Sequence, residues 1–162
     1  MATVDYFLKF DGIKGESTDS KHKDEIDIES WSWGATNARP TSSGGGAGAG
    51  KVAMQDFHFV MKLNTASPAL LKACATGKHI KLATLTSRKA GKGQHEYLIF
   101  KFHDVLVSSY QTGGSEGGDL LPVEQVSFNF AKIEIEYKPQ KADGSLGTGV
   151  FFKYDLKSNK AF

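Results

Sequence analysis

Four groups of residues in this chain have types and spacings that could carry chemistry. Gly113-Gly114-Ser115-Glu116-Gly117 matches the G-x-S-x-G elbow, in which a strained strand-to-helix turn holds a serine over an oxyanion hole. Gly45, four residues, Gly50 and Lys51 imitate a phosphate loop, whose backbone amides cradle phosphate oxygens. Asp56 and His58 alternate along the chain, so a strand would turn both to one face, as a β-scaffold metal site requires. Trp31 and Trp33 have the same spacing and could form an aromatic platform for a sugar ring.

Each group then needs an element that the neighbouring residues do not supply. After Ser115 comes Gly118-Asp119-Leu120-Leu121-Pro122, too short for a helix before the next strand, so the serine reads as part of a loop between antiparallel strands. After Lys51 comes Val52 rather than the Ser or Thr that holds Mg²⁺. The run from Val52 to Val60 is β-branched and aromatic, hence strand, and offers no helix N-terminus. The five histidines, His22, His58, His79, His95 and His103, include no i, i+4 pair, and no third ligand accompanies Asp56 and His58. Paired tryptophans in a strand are more often core or interface residues. No catalytic residue, cofactor site or metal site is assigned, and the chain is expected not to be an enzyme.

Composition narrows the class further. A chain of 162 residues reads as a single domain over 1–162, large enough to bury a core without staples. Lys and Arg number 20 against 18 Asp and Glu, and they are scattered. Nucleic acid or an anionic membrane as partner would call for a clustered basic excess. Cys74 is the only cysteine, which excludes an internal disulfide. The N-terminal residues lack a basic region followed by an apolar stretch, so no secretory signal is expected. No run approaches about 18 apolar residues, the length that spans a bilayer as a helix.

The elements follow from period and punctuation. Val4 to Phe10 reads as a strand with Tyr6, Leu8 and Phe10 on one face. Gly15 to Asp24 is polar and reads as a long exposed loop, too long for a plain hairpin turn. Strands are expected over Glu25 to Gly34, Val52 to Leu63, His79 to Arg88, Glu96 to Tyr110, Val123 to Tyr137 and Val150 to Leu156. Thr36 to Gly50 and Gln111 to Pro122 read as glycine-rich loops. In the run from Val123 to Tyr137 the apolar phase slips by one residue near Ala131-Lys132, implying a bulge or a bend between sheets. One helix is expected, with Ser67 as N-cap, Pro68 at its first helical position and Gly77 at its C-terminal end. Leu70, Leu71 and Cys74 form its buried stripe. The fold class is therefore mainly β, a two-sheet antiparallel barrel or sandwich with one packed α-helix.

Quoted in order, Tyr6-Phe7-Leu8-Lys9-Phe10-Asp11-Gly12-Ile13-Lys14-Gly15-Glu16-Ser17, Ile26-Asp27-Ile28, Trp31-Ser32-Trp33-Gly34, Ser67-Pro68, Gly77-Lys78-His79, Arg88-Lys89-Ala90-Gly91, Val105-Leu106-Val107-Ser108-Ser109 and Pro139-Gln140-Lys141-Ala142-Asp143-Gly144 resemble Hcp, the haemolysin co-regulated protein family of bacterial type VI secretion. The resemblance runs through almost the whole chain. It implies a β-barrel with one helix, a homohexameric ring, and rings stacked into a hollow tube that a contracting sheath propels from the cell. The implied partners are further copies of the chain, effector proteins carried and shielded in the lumen, and the sheath and spike proteins. Neither nucleic acid nor membrane insertion is implied, and the product would be made in the bacterial cytoplasm and secreted without a signal peptide.

The resemblance also suggests roles for particular residues. The loop carrying Ser17, Thr18, Asp19, Ser20, Lys21, His22 and Lys23 would reach the adjacent ring, and its deletion would spare the ring but weaken stacking. The polar side of the helix, with Lys72 and Thr76, would line the lumen. Ser32 alternates against Trp31 and Trp33, so if the tryptophans pack inward it faces the other way and becomes a candidate cargo contact. Two readings compete with the tube subunit: a monomeric β-sandwich carbohydrate-binding module using Trp31 and Trp33, and a hydrolase using Ser115.

Overall fold

The structure, a computed structural model, describes residues 4–37, 51–90 and 93–162. Twelve strands and one helix occupy the described residues in the order β1 (Val4–Phe10), β2 (Ile26–Asp27), β3 (Ser30–Ser32), β4 (Ala35–Asn37), β5 (Val52–Met54), β6 (Phe57–Lys62), α1 (Ser67–Thr76), β7 (Ile80–Lys89), β8 (Glu96–Gly113), β9 (Val123–Asn129), β10 (Lys132–Tyr137), β11 (Val150–Asp155) and β12 (Lys160–Ala161). The glycine cluster ahead of Lys51 lies outside the described residues, as does part of the expected turn at Ala90–Gly93.

Two antiparallel sheets share the long strand β8. Its first part pairs with β7 and β10 in a sheet ordered β12-β11-β10-β8-β7-β1-β2. From Leu106 onward it pairs with β9 in a second layer ordered β3-β6-β9-β8. The change of sheet follows Asp104, which sits at φ 56, the left-handed region that short polar side chains tolerate. Continuity of one strand through two layers lets each sheet close over the other's apolar face. The class is the expected one, mainly β in two antiparallel sheets with one helix, although the hydrogen-bonded pairing does not close into a ring.

The core is aromatic because period-2 alternation delivers a phenylalanine from almost every central strand. Phe57, Phe59, Phe102 and Phe128 are fully buried. Phe102 lies 4.9 Å from Phe57 and 5.0 Å from Phe128, ring centre to ring centre, in tilted and edge-on geometries that satisfy the ring quadrupoles. Trp31 stacks on Phe57 at 5.8 Å, and Trp33 meets Phe100 edge-on at 6.2 Å.

Several expectations are corrected. Glu25 to Gly34 is not one strand: β2 pairs with β1 in the first sheet, and β3 pairs with β6 in the second. Val123 to Tyr137 breaks in the same way at 130–131, whereas Val52 to Leu63 breaks at 55–56 into β5, paired with β4 in a separate two-stranded sheet, and β6 in the second sheet. The phase slip at Ala131 is thus a crossing between sheets, where the Ala131 amide donates to the His103 carbonyl. Ser67 is not the N-cap. It is the first helical residue, the N-cap position is Ala66, and no side chain caps it. The turn before the helix is held instead by Asn64, whose Oδ1 accepts from the Ala66 amide, while Ser67 Oγ accepts from the Asn64 amide. Leu71 is exposed rather than buried, because the sheet-facing stripe runs through Ser67, Leu70 and Ala73. At the other end Gly77 ends the helix at φ 67, a left-handed conformation that glycine adopts without a Cβ clash.

Candidate functional site

Register places a row of polar side chains, three serines and a histidine, across the outward face of the second sheet. Ser32 lies opposite His58, His58 opposite Ser127, and Ser127 opposite Ser109. The next row on the same face is Ser30, Val60, Gln125 and Gln111. These residues alternate with Trp31, Phe59, Val126 and Tyr110, which turn to the core, so the face follows directly from the pleat. His58 Nδ1 and Ser127 Oγ are 2.9 Å apart, which fixes the imidazole in the row. Of these, the sequence reading had singled out only Ser32 for this role. His58 between Phe57 and Phe59, and Gln125 and Ser127 either side of Val126, carried the same alternation signal. Which strands would lie side by side was not in the signal.

A second feature is the loop between β1 and β2, which is a folded clasp rather than the expected open excursion. Ser17 and His22 are buried. The Gly15 amide donates to the Asp24 carbonyl, the Ser17 amide to the Glu25 carbonyl and the Asp24 amide to the Ser17 carbonyl. Gly15 packs so closely on the Glu25 backbone that a Cβ there would collide with it. Within 15–25, Glu16, Thr18, Ser20, Lys21, Lys23 and Asp24 face solvent.

Charge pins this clasp to the first sheet. Arg88 on β7 is 3 % exposed and reaches Asp19 through both terminal nitrogens, at 3.0 and 2.7 Å, and Asp5 at 3.0 Å. Its hydrogen bonds with Asp19 hold that carboxyl well below the usual carboxylate range, and the same bonds raise the guanidinium. Asp27 nearby is pushed upward by burial and by the negative charges of Asp5 and Asp19. His22 stacks on Phe7, with ring centres 4.3 Å apart, and places Nδ1 2.8 Å from Glu25 and Nε2 2.5 Å from Glu96.

Under the helix, Glu124 on β9 is 1 % exposed and accepts hydrogen bonds from Ser67 Oγ and the Tyr110 hydroxyl. Burial and the neighbouring carboxylate push the Tyr110 phenol up to about 12. This network ties the helix to the second sheet. It is buried, and no substrate could reach it without unpacking the helix. Lys72 and Thr76 are on the exposed side of the helix, where Thr76 Oγ1 donates to the Lys72 carbonyl. Lys72 lines a cleft with Asp11, Gly12, Lys78 and Lys81, and none of the Ser32 row borders that cleft.

The third feature is an uncovered apolar margin. On β11, Val150, Phe151 and Phe152 are 65 %, 60 % and 44 % exposed, and Tyr137 beside them on β10 is 48 % exposed. The terminal strand β12 pairs only with Tyr154 and Asp155. It therefore leaves the outer edge of Val150–Phe152 without a strand partner among the described residues.

The remaining motifs do not assemble. Ser115 sits on an exposed turn in which its carbonyl accepts from the Gly118 amide, and no helix follows it. Asp56 accepts from Ser108 Oγ, so Asp56 and His58 engage separate partners. Trp31 and Trp33 pack against core rings and cannot present a sugar platform.

A family model described as type VI secretion system effector, Hcp, matches residues 7–137. The protein hcp1 of Pseudomonas aeruginosa is 47 % identical over 158 residues, covering 96 % of this chain and 97 % of that one. Among solved structures, Hcp1 of Salmonella typhimurium superposes with a TM-score of 0.83 at 37 % identity, over 99 % of this chain and 100 % of the other. A protein described as a type six secretion system protein reaches a TM-score of 0.90 at 32 % identity, over 98 % and 99 %.

Proposed function

Because this chain belongs to the Hcp family of type VI secretion system proteins, a structural family rather than an enzymatic one, we propose that it is a ring subunit: six copies close head-to-tail, and the rings stack into a tube that carries effectors. The observation that carries this reading is the uncovered margin at Tyr137, Val150, Phe151 and Phe152. Adjacent exposed aromatics on an unpaired strand edge invite association, and a lone subunit in water gains nothing from them. A head-to-tail contact that covers this margin on every copy closes when the rotation between copies allows it. The family resemblance supplies the number six.

Light scattering tests the assembly. The expected mass is a multiple of six subunits, and Phe151→Glu with Phe152→Glu is expected to shift it to the monomer with the β signature in circular dichroism unchanged. A wild-type chain that is monomeric at every concentration and salt tested would overturn the ring. A double variant that assembles like wild type would move the contact elsewhere.

In this reading the Ser32 row faces cargo. Hydrogen-bonding side chains, mostly small serines, suit contact with varied proteins, since no single deep pocket has to be matched. Ser32→Gln adds bulk at the β3 end of the row without adding charge. It is expected to leave the ring mass unchanged and to reduce the effector co-purifying with the ring by about tenfold, equivalent to roughly 1.4 kcal/mol of contact. Retention of effectors at wild-type levels would remove this face from the cargo surface.

A further inference from the structure

His22 stands between two carboxylates, and its hydrogen-bonding capacity does not match them unless an extra proton is present. Nδ1 faces Glu25 at 2.8 Å and Nε2 faces Glu96 at 2.5 Å. A neutral imidazole has one donor and one acceptor, and an ionised carboxylate only accepts. Both contacts form together only if the site holds one proton more than a neutral ring and two carboxylates supply. The ring is buried and stacked on Phe7, so water cannot readily substitute for a lost partner.

Acidic groups surround the ring. Glu25 comes from the clasp itself and Glu96 from β8. Asp19 accepts from the His22 amide. Arg88 on β7 is bound to Asp5 and Asp19.

We propose that His22 is a proton-dependent latch on the clasp of residues 15–25. With the proton in place the imidazolium joins the clasp to β8 through Glu96. When the proton leaves, one carboxylate faces a ring nitrogen lone pair, and the contact opens. The direction is fixed by the geometry. The latch is closed while the proton is present and opens when rising pH removes it, because the two carboxylates can then no longer both find a ring donor. The Arg88 pin does not titrate with the latch, so the clasp loosens without leaving the sheet.

The consequence rests on the ring reading above. Thr18, Ser20, Lys21 and Lys23 are among the solvent-facing residues of the clasp, and a closed latch fixes the surface that they offer to the next ring. Protons would then regulate stacking without touching the subunit contacts within a ring.

Amide hydrogen exchange reads the latch directly and in any assembly state. After correction for intrinsic rates, amides of residues 17–24 are expected to exchange about tenfold more slowly at pH 6 than at pH 8, with β1 and β7 unchanged. His22→Gln is expected to exchange fast at both pH values. Glu96→Ala leaves the ring free to bond Glu25 through Nδ1–H without the extra proton, and its pH profile is expected to flatten to within about threefold. Equal corrected rates at the two pH values in wild type would overturn the latch, as would a tenfold dependence that survives in His22→Gln. Should His22→Gln fail to fold, Glu96→Ala decides: a profile as steep as wild type overturns the proposal. A missing latch in an intact ring leaves the ring reading standing, and a latch in a chain that never assembles overturns only the ring.

Discussion

Replacing Arg88 with alanine is expected to destabilise the fold by about 3 kcal/mol and to release the clasp at every pH. Arg88 is almost fully buried, and its terminal nitrogens hold Asp19 and Asp5. Removing one partner of a buried ion pair costs about 3–5 kcal/mol, because the other charge stays behind unpaired. The low end applies here, since Asp5 is 38 % exposed and water screens it in the variant. Arg88→Lys is expected to recover less than half of the loss, because a single ammonium cannot span Asp5 and both oxygens of Asp19.

The pH dependence of this pair has a definite sign. The Asp19 carboxyl is lowered in the folded state, so the pair contributes fully above the ordinary carboxylate range of about 3.9. Its contribution fades only as pH falls below that toward the lowered folded value. The Arg88→Ala deficit should therefore be constant from pH 5 to 8 and shrink in stronger acid. Thermal melting at fixed protein concentration measures it, and a drop of about 6–12 °C is expected for a chain of this size. A shift of less than about 2 °C would mean that the clasp does not depend on this pin.

Phe57→Ala is expected to cost about 3–5 kcal/mol, the largest single-residue effect in the molecule. Phe57 is fully buried where the two sheets face each other. Its ring meets Phe102 at 4.9 Å, Phe128 at 5.1 Å and Trp31 at 5.8 Å. Truncation removes the apolar transfer term, and it leaves a cavity lined by rigid rings that cannot collapse into it. Phe57→Leu fills most of the volume and is expected to recover about half of the loss. The effect reaches the functional face as well. Phe57 begins β6, and the next residue is His58, so movement of β6 displaces the row between Ser32 and Ser127. Urea unfolding with tryptophan fluorescence would report both effects, because Trp31 stacks on Phe57. A midpoint equal to wild type would contradict the central place given to this ring.

Much of the local structure was legible from side-chain pattern. The limits of β1, the C-terminal end of α1 and most of β7 follow from alternation and Gly77, signals that act within a few residues. Where the reading failed, a choice between two nearly equal local options was settled by distant packing. Ser67 can cap a helix, but it sits on the sheet-facing side, where Glu124 offers a buried acceptor. The helix therefore begins one residue earlier than a Ser67 cap allows, and the Asn64 side chain holds the turn before it. Leu71 and Ala73 compete for the buried stripe. The closeness of the sheet selects the small side chain and leaves the leucine in solvent. The polar loop after β1 looked exposed because its partners, Arg88 and Glu96, are more than 60 residues away along the chain.

The sequence by itself determined the class of the protein: mainly β, one helix, and membership of a secretion family carried by motifs spread along the chain. It also determined which way each side chain points along its own strand, because the pleat alternates regardless of neighbours. Tertiary structure alone decided which strands lie side by side. That choice created the Ser32–His58–Ser127–Ser109 row, the charged pins beneath the clasp and the bare edge of β11. The physical reason is range. Backbone conformation and alternation are set by neighbouring residues, whereas strand order is set by which apolar faces can cover one another once the chain has closed, and that depends on every strand together.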